Sequence, residues 1–452
     1  MELFVLALFC IILLGTIAIG GSLIHALLAG LVLFLLYGIY VAKVLPLALA
    51  QMVIDGVLAA KNILLTFGLI GILTAFWRAS GTIPTLVTYA STWIQPNVVL
   101  FLTFVLNGLV SFLMGSSFAT SATMGVICMT MANGMGVDPL LAGGAVLSGV
   151  YFGDRCSPVS TSALLVSELT HTDLYENIRQ MFHTAWTPCL LSCLFYGIWG
   201  WYGKQEILGE LTGVSVLADS FTISWPMLLP AVTILVMGFF HVPVKKTMAV
   251  SILLSGGCAI YFQQVEAVDL LTMAIWGFHT EQAELETLLG GGGLISMARV
   301  AAIVCISSSY AGIFHGTGML RQLEQAIQGL SERMGNFGAM VVTSVFNSAV
   351  ACNQTLAIML THELCQKLTM DKTKRAISLE NSVVVIAPLI PWSIAGAVPL
   401  EAIGAPLAAI PFAVYLWVLP AWQLIKAVRS EKLEMKAGEP SNYSYAECYQ
   451  IS

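Results

Sequence analysis

The chain has 452 residues, of which 58% are hydrophobic and only 10% charged, and its mean hydropathy is +0.86. Soluble domains carry about 25% charged residues, so the composition excludes an ordinary soluble protein and implies a chain that crosses a bilayer many times. The formal net charge of −6 says less than the placement of the basic residues, and no nucleic-acid partner is expected.

A membrane-crossing helix needs about 20 apolar residues. Residues 3–20 resemble the apolar region of a signal peptide, but they lack a basic leader and a second span, 23–42, follows at once, so both read as transmembrane helices. Residues 46–60 are weaker, carry Asp55 and suit the membrane interface, and 62–77 is the next clear span. Residues 98–131 suffice for two passes, interrupted at Gly115-Ser116-Ser117.

The span 140–169 holds the stretch around which the chain is organised. In 149–162, Gly153 and Pro158 bracket the charged pair Asp154–Arg155, so a helix must break near its middle. Broken backbone at membrane depth is tolerated where it lines a protein cavity, and an ionisable residue there is a functional hypothesis by default. The structural alternative is a proline kink in which Arg155 snorkels and Asp154 merely pairs with it.

Residues 183–200 close the first half, and 201–220 form a polar external linker. The second half, 221–425, is expected to span at 225–240, 248–262, 300–314, 338–360, 377–398 and 406–425, with an acidic loop and glycine run over 266–293. Residues 426–452 read as a soluble cytoplasmic tail. The ten cysteines form no CxxC pair and no metal-ligand spacing, and read as small buried hydrophobes.

Basic residues set the orientation. Lys43, Lys245–Lys246, the 367–375 cluster and Lys426, Arg429, Lys432 and Lys436 belong inside by the positive-inside rule. The acid-rich loops 204–219 and 266–286 suit the outside. Both termini are then cytoplasmic, residues 338–360 turn back as a re-entrant hairpin at Asn353–Gln354, and residues 1–200 and 221–425 become inverted repeats. A shift of 237 positions sets Trp77–Gly81 against Phe314–Gly318, which pairs Arg78 with His315, and Gly115-Ser116-Ser117 against Cys352-Asn353-Gln354. A slightly different shift sets Cys156-Ser157-Pro158 against Ile386-Ala387-Pro388. Paired interrupted segments in two inverted halves point to a transporter site. The fold class is therefore an all-α polytopic membrane protein of two inverted repeats with broken helices and re-entrant hairpins.

Among the polar groups, Gly115, Ser116 and Ser117, with Asn353 and Gln354, suit a substrate-facing tip, where half-helix amides can meet a carboxylate. Thr120, Ser121 and Thr123 supply hydroxyls that serve helix packing equally well. Asp154 and Glu380 are the best proton-carrying carboxyls, because burial favours the neutral form. His315 titrates near physiological pH but suits a structural hydrogen bond too, and Arg78 can simply snorkel at the end of its span. Trp392 can stack on a substrate or pack.

Three stretches resemble the NhaC-type sodium–proton antiporter family: Ser111-Phe-Leu-Met-Gly-Ser-Ser-Phe-Ala-Thr-Ser-Ala-Thr, Tyr151-Phe-Gly-Asp-Arg-Cys-Ser-Pro, and Leu379-Glu-Asn-Ser-Val-Val-Val-Ile-Ala-Pro-Leu-Ile-Pro-Trp. The resemblance runs from about Leu64 to Trp417. It implies a secondary antiporter of the plasma membrane, exchanging sodium, organic acids or amino acids, with site residues in the matching stretches, including Asp154, Ser157, Ser160, Thr161, Glu380 and Asn381. It implies no cofactor; the coupling ion is a proton or sodium, and a homodimer remains open. Where the family carries acids, this chain has Thr161, Asn353 and Asn381. Hard cations follow oxygen count and charge, so these neutral groups weaken a sodium site and favour a small organic solute such as an amino acid, amine or carboxylate. Plain sodium–proton exchange is the alternative. An intramembrane protease lacks its Gly-x-Ser-x-Gly setting, and a channel would need identical filter segments where the two breaks differ.

Overall fold

The computed structural model describes residues 2–19, 21–202, 212–240, 242–317, 323–369 and 371–437. They are helical, with no strand among them beyond an isolated Phe278–Gly291 bridge. The first half runs α1 (Glu2–Ala18), α2 (Leu23–Tyr40), α3 (Pro46–Ala59), α4 (Lys61–Ala79), α5 (Thr82–Trp93), α6 (Pro96–Met114), the single turn α7 (Ser117–Thr120), a π turn, α8 (Val126–Gly134), α9 (Pro139–Cys156), α10 (Thr161–Thr170) and α11 (Leu174–Tyr202). After α12 (Thr212–Ser220) come α13 (Leu229–Phe239), α14 (Val244–Phe262), α15 (Ala267–Trp276), α16 (Ala283–Leu289), α17 (Gly293–Ser296), α18 (Ala298–Thr317), α19 (Leu323–Ala351), α20 (Gln354–Cys365), α21 (Lys372–Glu380), α22 (Val383–Ile386), α23 (Ile394–Ala402) and α24 (Val414–Ala437).

Local chemistry sets the boundaries that matter for the site. Prolines open α3, α6 and α9, where a missing N–H costs nothing. Asp138 caps α9 by accepting from the Leu140 N–H at 2.8 Å, and Asp371 caps α21 from Thr373 and Lys374. Gly115 ends α6 with φ 61°, a left-handed value that glycine adopts at little cost.

Packing relies on backbone approach. Gly149 and Gly153 of α9 lie against α6, where a Cβ on Gly153 would sit 2.2 Å from the Gly108 carbonyl oxygen. α3 packs face-on to α18 through Gly56, beside the Ser308 carbonyl, and Gly312, beside that of Met52. Small residues at such contacts are how membrane helices associate when lipid offers no hydrophobic drive between them. The two halves interleave: α2 packs on α18 and α1 on α19, while α24 packs on α9 and α11. The outward face of α11 stays apolar, with Trp186, Leu190, Leu194 and Ile198 exposed, as suits a lipid neighbour.

The span boundaries differ from expectation in specific places. Leu23–Tyr40, Lys61–Ala79 and Pro96–Met114 are long and apolar enough to cross a membrane unbroken, and Lys372–Leu389 with Ile394–Ala402 forms a pair bent by 57°. Other expected spans are shorter, interrupted, or long but less uniformly apolar. α11 begins nine residues before the expected 183, and α19 begins at Leu323 and is kinked at Gly335 (φ 73°, ψ 166°) before its break at Cys352. α24 continues to Ala437, well into the expected tail; residues 438–452, and 203–211 of the expected linker, lie outside the described residues.

Candidate functional site

Among the described residues, two pairs of helix breaks share a geometry. α6 ends at Gly115 (φ 61°), and Ser116 (φ −152°, ψ 114°) then caps α7, its Oγ accepting from the Ala119 N–H at 3.3 Å. α19 ends before Cys352 (φ 54°), and Asn353 (φ −138°, ψ 130°) caps α20, its Oδ1 accepting from Thr355 N–H at 2.9 Å. The second break of the first half separates α9 from α10, which Ser160 caps through Ser162 and Ala163; its counterpart precedes α23, which Ser393 caps through Ala395. In each half the two breaks touch. Gly115 lies against Val159, whose backbone carbon and oxygen would be 2.7 and 2.8 Å from an added Cβ, and the Cys352 carbonyl accepts from Ile394 N–H at 2.9 Å.

The broken spans of the two halves meet, with α10 packed on α20 and α21, and the buried charged residues lie at the ends of the helices involved. Asp154 lies in the last turn of α9 and Glu380 ends α21; both are buried. The hydroxyls of Ser117 and Ser160 and the backbone of Ser117 face the Asp154 carboxyl. Asp154 Oδ1 and both Glu380 carboxyl oxygens have no hydrogen-bond partner among the described residues. The two carboxyls are near enough to repel each other. Each also sits at the negative end of a helix dipole, which favours a proton or cation beside it.

Arg155 overturns the kink-and-snorkel alternative. It is fully buried and turns away from Asp154. Its Nε donates to the Glu380 carbonyl at 3.0 Å, Nη2 to Asn381 Oδ1 at 2.5 Å and Thr184 Oγ1 at 3.0 Å, and Nη1 to Tyr415 Oη at 3.2 Å and the Met181 carbonyl at 3.4 Å. The guanidinium thus ties α9 to α11, α21 and α24, and among the described residues no carboxylate forms an ion pair with it. Arg155, Thr184 and Tyr415 went unrecognised as a unit from sequence, because no local spacing links positions so far apart. Cys352 was within reach: the 237-residue shift already set it on Gly115.

The remaining candidates fall into three groups. Ser117, Ser157 and Ser160 are buried around Asp154, with Ser157 Oγ accepting from Val159 N–H at 3.3 Å. Gly115, Ser116 and exposed Thr161 line a cavity of about 310 Å³, together with apolar Leu113, Met114, Val159, Val242 and Val244. Thr120, Gln354 and Trp392 are held by the backbone: Thr120 Oγ1 donates to Ser116 O, Gln354 Nε2 to Val384 O and Trp392 Nε1 to Ala349 O. His315 lies on α18, and its side chain lies outside the described residues. Arg78 faces Glu286 at the end of α4, away from Asp154.

A profile of the Na+/H+ antiporter family matches residues 2–201 and 149–427, which together cover nearly the whole chain. The chain belongs to the Na+/H+ antiporter family. Among its relatives, the Na+/H+ antiporter NhaC of Alkalihalophilus pseudofirmus is 28% identical over 82% of this chain and 83% of its own length. The malate-2H+/Na+-lactate antiporter of Bacillus subtilis is 26% identical over 76% of each chain. The arginine/ornithine antiporter ArcD of Halobacterium salinarum is 28% identical over 82% of this chain and 80% of its own. This family member is thus a multi-pass membrane protein and a secondary antiporter.

Proposed function

We propose that this antiporter exchanges a small organic solute, such as an amino acid or amine, against protons by alternating access at the Asp154–Glu380 site. The observation that carries the reading is a pair of buried carboxyls where two broken spans meet, with both Glu380 oxygens and Asp154 Oδ1 lacking hydrogen-bond partners among the described residues. A carboxylate left so in a low-dielectric interior is costly, and a proton or a cation relieves that cost in turn. The cavity at Gly115, Ser116 and Thr161 supports an organic cargo over a bare ion, because about 310 Å³ lined by both apolar side chains and the Ser116, Thr161 and Thr247 hydroxyls suits a carbon skeleton with polar groups. The arginine/ornithine exchange in the name of one relative is in keeping with it. Two inverted repeats, 1–200 and 221–425, account for the matched left-handed turns at Gly115 and Cys352. With both termini cytoplasmic, Lys245 and Lys246 beside the cavity-lining Val244 and Thr247 put its mouth on the inner side.

The test uses purified protein in proteoliposomes, with sodium and pH gradients imposed separately while solute uptake and internal pH are followed. Asp154→Asn is expected to abolish exchange while eluting as a folded, monodisperse protein, and wild-type uptake in that variant would remove Asp154 from the mechanism. Plain sodium–proton exchange is the second reading, favoured by the NhaC relatives. Strong sodium-driven proton efflux with no organic solute present would establish it instead.

A further inference from the structure

Asp154, Arg155 and Glu380 are the only buried charged side chains among the described residues. Two half-buried charges near the helix ends have an opposite charge facing them: Arg78 faces Glu286, and Glu401 faces Arg299. Tyr151, Tyr415 and Cys156, which pack around the cluster, are of types uncharged at neutral pH. Asn381, at the oxygen closest to the guanidinium, is neutral as well. With both carboxyls ionised the buried cluster therefore carries two negative charges and one positive, an excess of one negative charge.

We infer that the site takes up one unit of positive charge per half-cycle, either a proton or a cargo of net charge +1, and that Arg155 is the positioning residue that sets this count. The inference rests on the antiport reading and specifies the cargo's charge. Arg155 cannot serve as a carboxylate receptor, since its N–H groups are already committed to Glu380 O, Asn381, Thr184, Tyr415 and Met181. An anionic cargo would then raise the negative excess in a medium where unpaired charge is most costly. A monoamine, or an amino acid with a second ammonium group, neutralises it. One proton out for one such cation in moves no net charge across the membrane.

The experiment is exchange in proteoliposomes under a potential set by potassium and valinomycin, with methylamine, ornithine, alanine, malate and sodium as separate probes. Wild-type protein is expected to exchange protons for methylamine and ornithine, to ignore alanine, malate and sodium alone, and to show the same steady-state distribution with and without the potential. If one net charge moved per cycle, a tenfold potassium gradient would shift that distribution about tenfold. Such a shift in the wild type, or exchange of malate, overturns the inference while leaving antiport intact; the absence of any proton-coupled flux overturns the antiport reading as well. Asn381→Asp keeps the oxygen that accepts from Arg155 and adds one negative charge, so the variant is expected to release two protons for each +1 cation taken up, and that unequal exchange moves one net charge per cycle and becomes potential-driven. A folded Asn381→Asp that stays indifferent to the potential contradicts the count. Arg155→Lys retains the charge and is expected to remain indifferent at reduced thermal stability; potential-driven exchange by this variant counts against it.

Discussion

Replacing Gly153 by alanine tests whether the α6–α9 contact positions Asp154. The added Cβ would lie 2.2 Å from the Gly108 carbonyl oxygen, 2.6 Å from the Phe112 backbone nitrogen and 2.6 Å from Ser111 Cβ. Ordinary contact begins at 3.4 Å, so the helices must part by about 1.2 Å at this level, 3.4 minus 2.2. Backbone atoms make two of the three contacts, so no side-chain rotation can absorb the clash. The same parting stretches the 2.6 Å bond from Ser111 Oγ to the Val150 carbonyl past useful range. Overpacking costs about 1–3 kcal/mol and the lost hydrogen bond about 1 kcal/mol, giving a loss of roughly 2–4 kcal/mol. Thermal unfolding followed by size-exclusion chromatography in detergent is the assay. Gly257→Ala in α14 is the control: nothing lies within 4 Å of its would-be Cβ, so alanine there is neutral or stabilising by up to about 1 kcal/mol. Equal stability of Gly153→Ala and wild type would refute the account of the contact. Wild-type exchange in a destabilised Gly153→Ala would show instead that Asp154 does not depend on it.

Gly115→Ala combines a left-handed backbone, costing about 1–2 kcal/mol for a residue with a Cβ, with contacts of 2.5–2.8 Å to Val159; it is expected to lower stability by at least that amount and to cut transport, and wild-type uptake would separate the touching breaks from function. Outside the membrane, His279 Nδ1 and Glu286 Oε1 are 2.8 Å apart, and that bond raises the histidine above 6.5 and holds the glutamate below 4.5. The histidine's share is complete below pH 6.5 and lost as pH rises through its raised value; the glutamate's is complete above pH 4.5 and lost as pH falls through its lowered one. Protease resistance of the 277–291 loop is therefore expected to be greatest between pH 4.5 and 6.5 and to flatten in His279→Gln, and an unchanged profile in that variant would assign the protection elsewhere.

The helical membrane architecture was legible because apolar length and proline or glycine punctuation act locally. Gly115, Pro158 and the Asp154–Arg155 pair marked breaks that the structure contains. Span boundaries were less legible where packing outranks hydropathy. α11 begins with the mixed stretch Leu174-Tyr175-Glu176-Asn177, in which Asn177 turns inward, its amide donating to Thr172 Oγ1 at 2.7 Å. α24 continues through Lys426 and Arg429 because helix propensity and the absence of a breaker carry it past the apolar run.

Arg155 shows why the site itself was only half legible. From sequence, an arginine next to an aspartate invites an ion pair, and hydropathy sends its charge to the surface. Yet adjacent residues on a helix point about 100° apart, so Arg155 and Asp154 cannot share a partner-facing direction. The arginine turns toward α21, where it meets the Glu380 carbonyl and the Asn381 amide oxygen, and Asp154 turns toward Ser117 and Ser160. Splitting the pair in this way leaves the cation satisfied by neutral dipoles, and leaves both Glu380 oxygens and Asp154 Oδ1 without hydrogen-bond partners among the described residues. A salt bridge between Asp154 and Arg155 would have cancelled the charge that an antiporter needs to exchange. The break between α9 and α10 therefore does more than open the backbone: it lets one end of a helix present a fixed positive charge to one neighbour and an exchangeable negative charge to another.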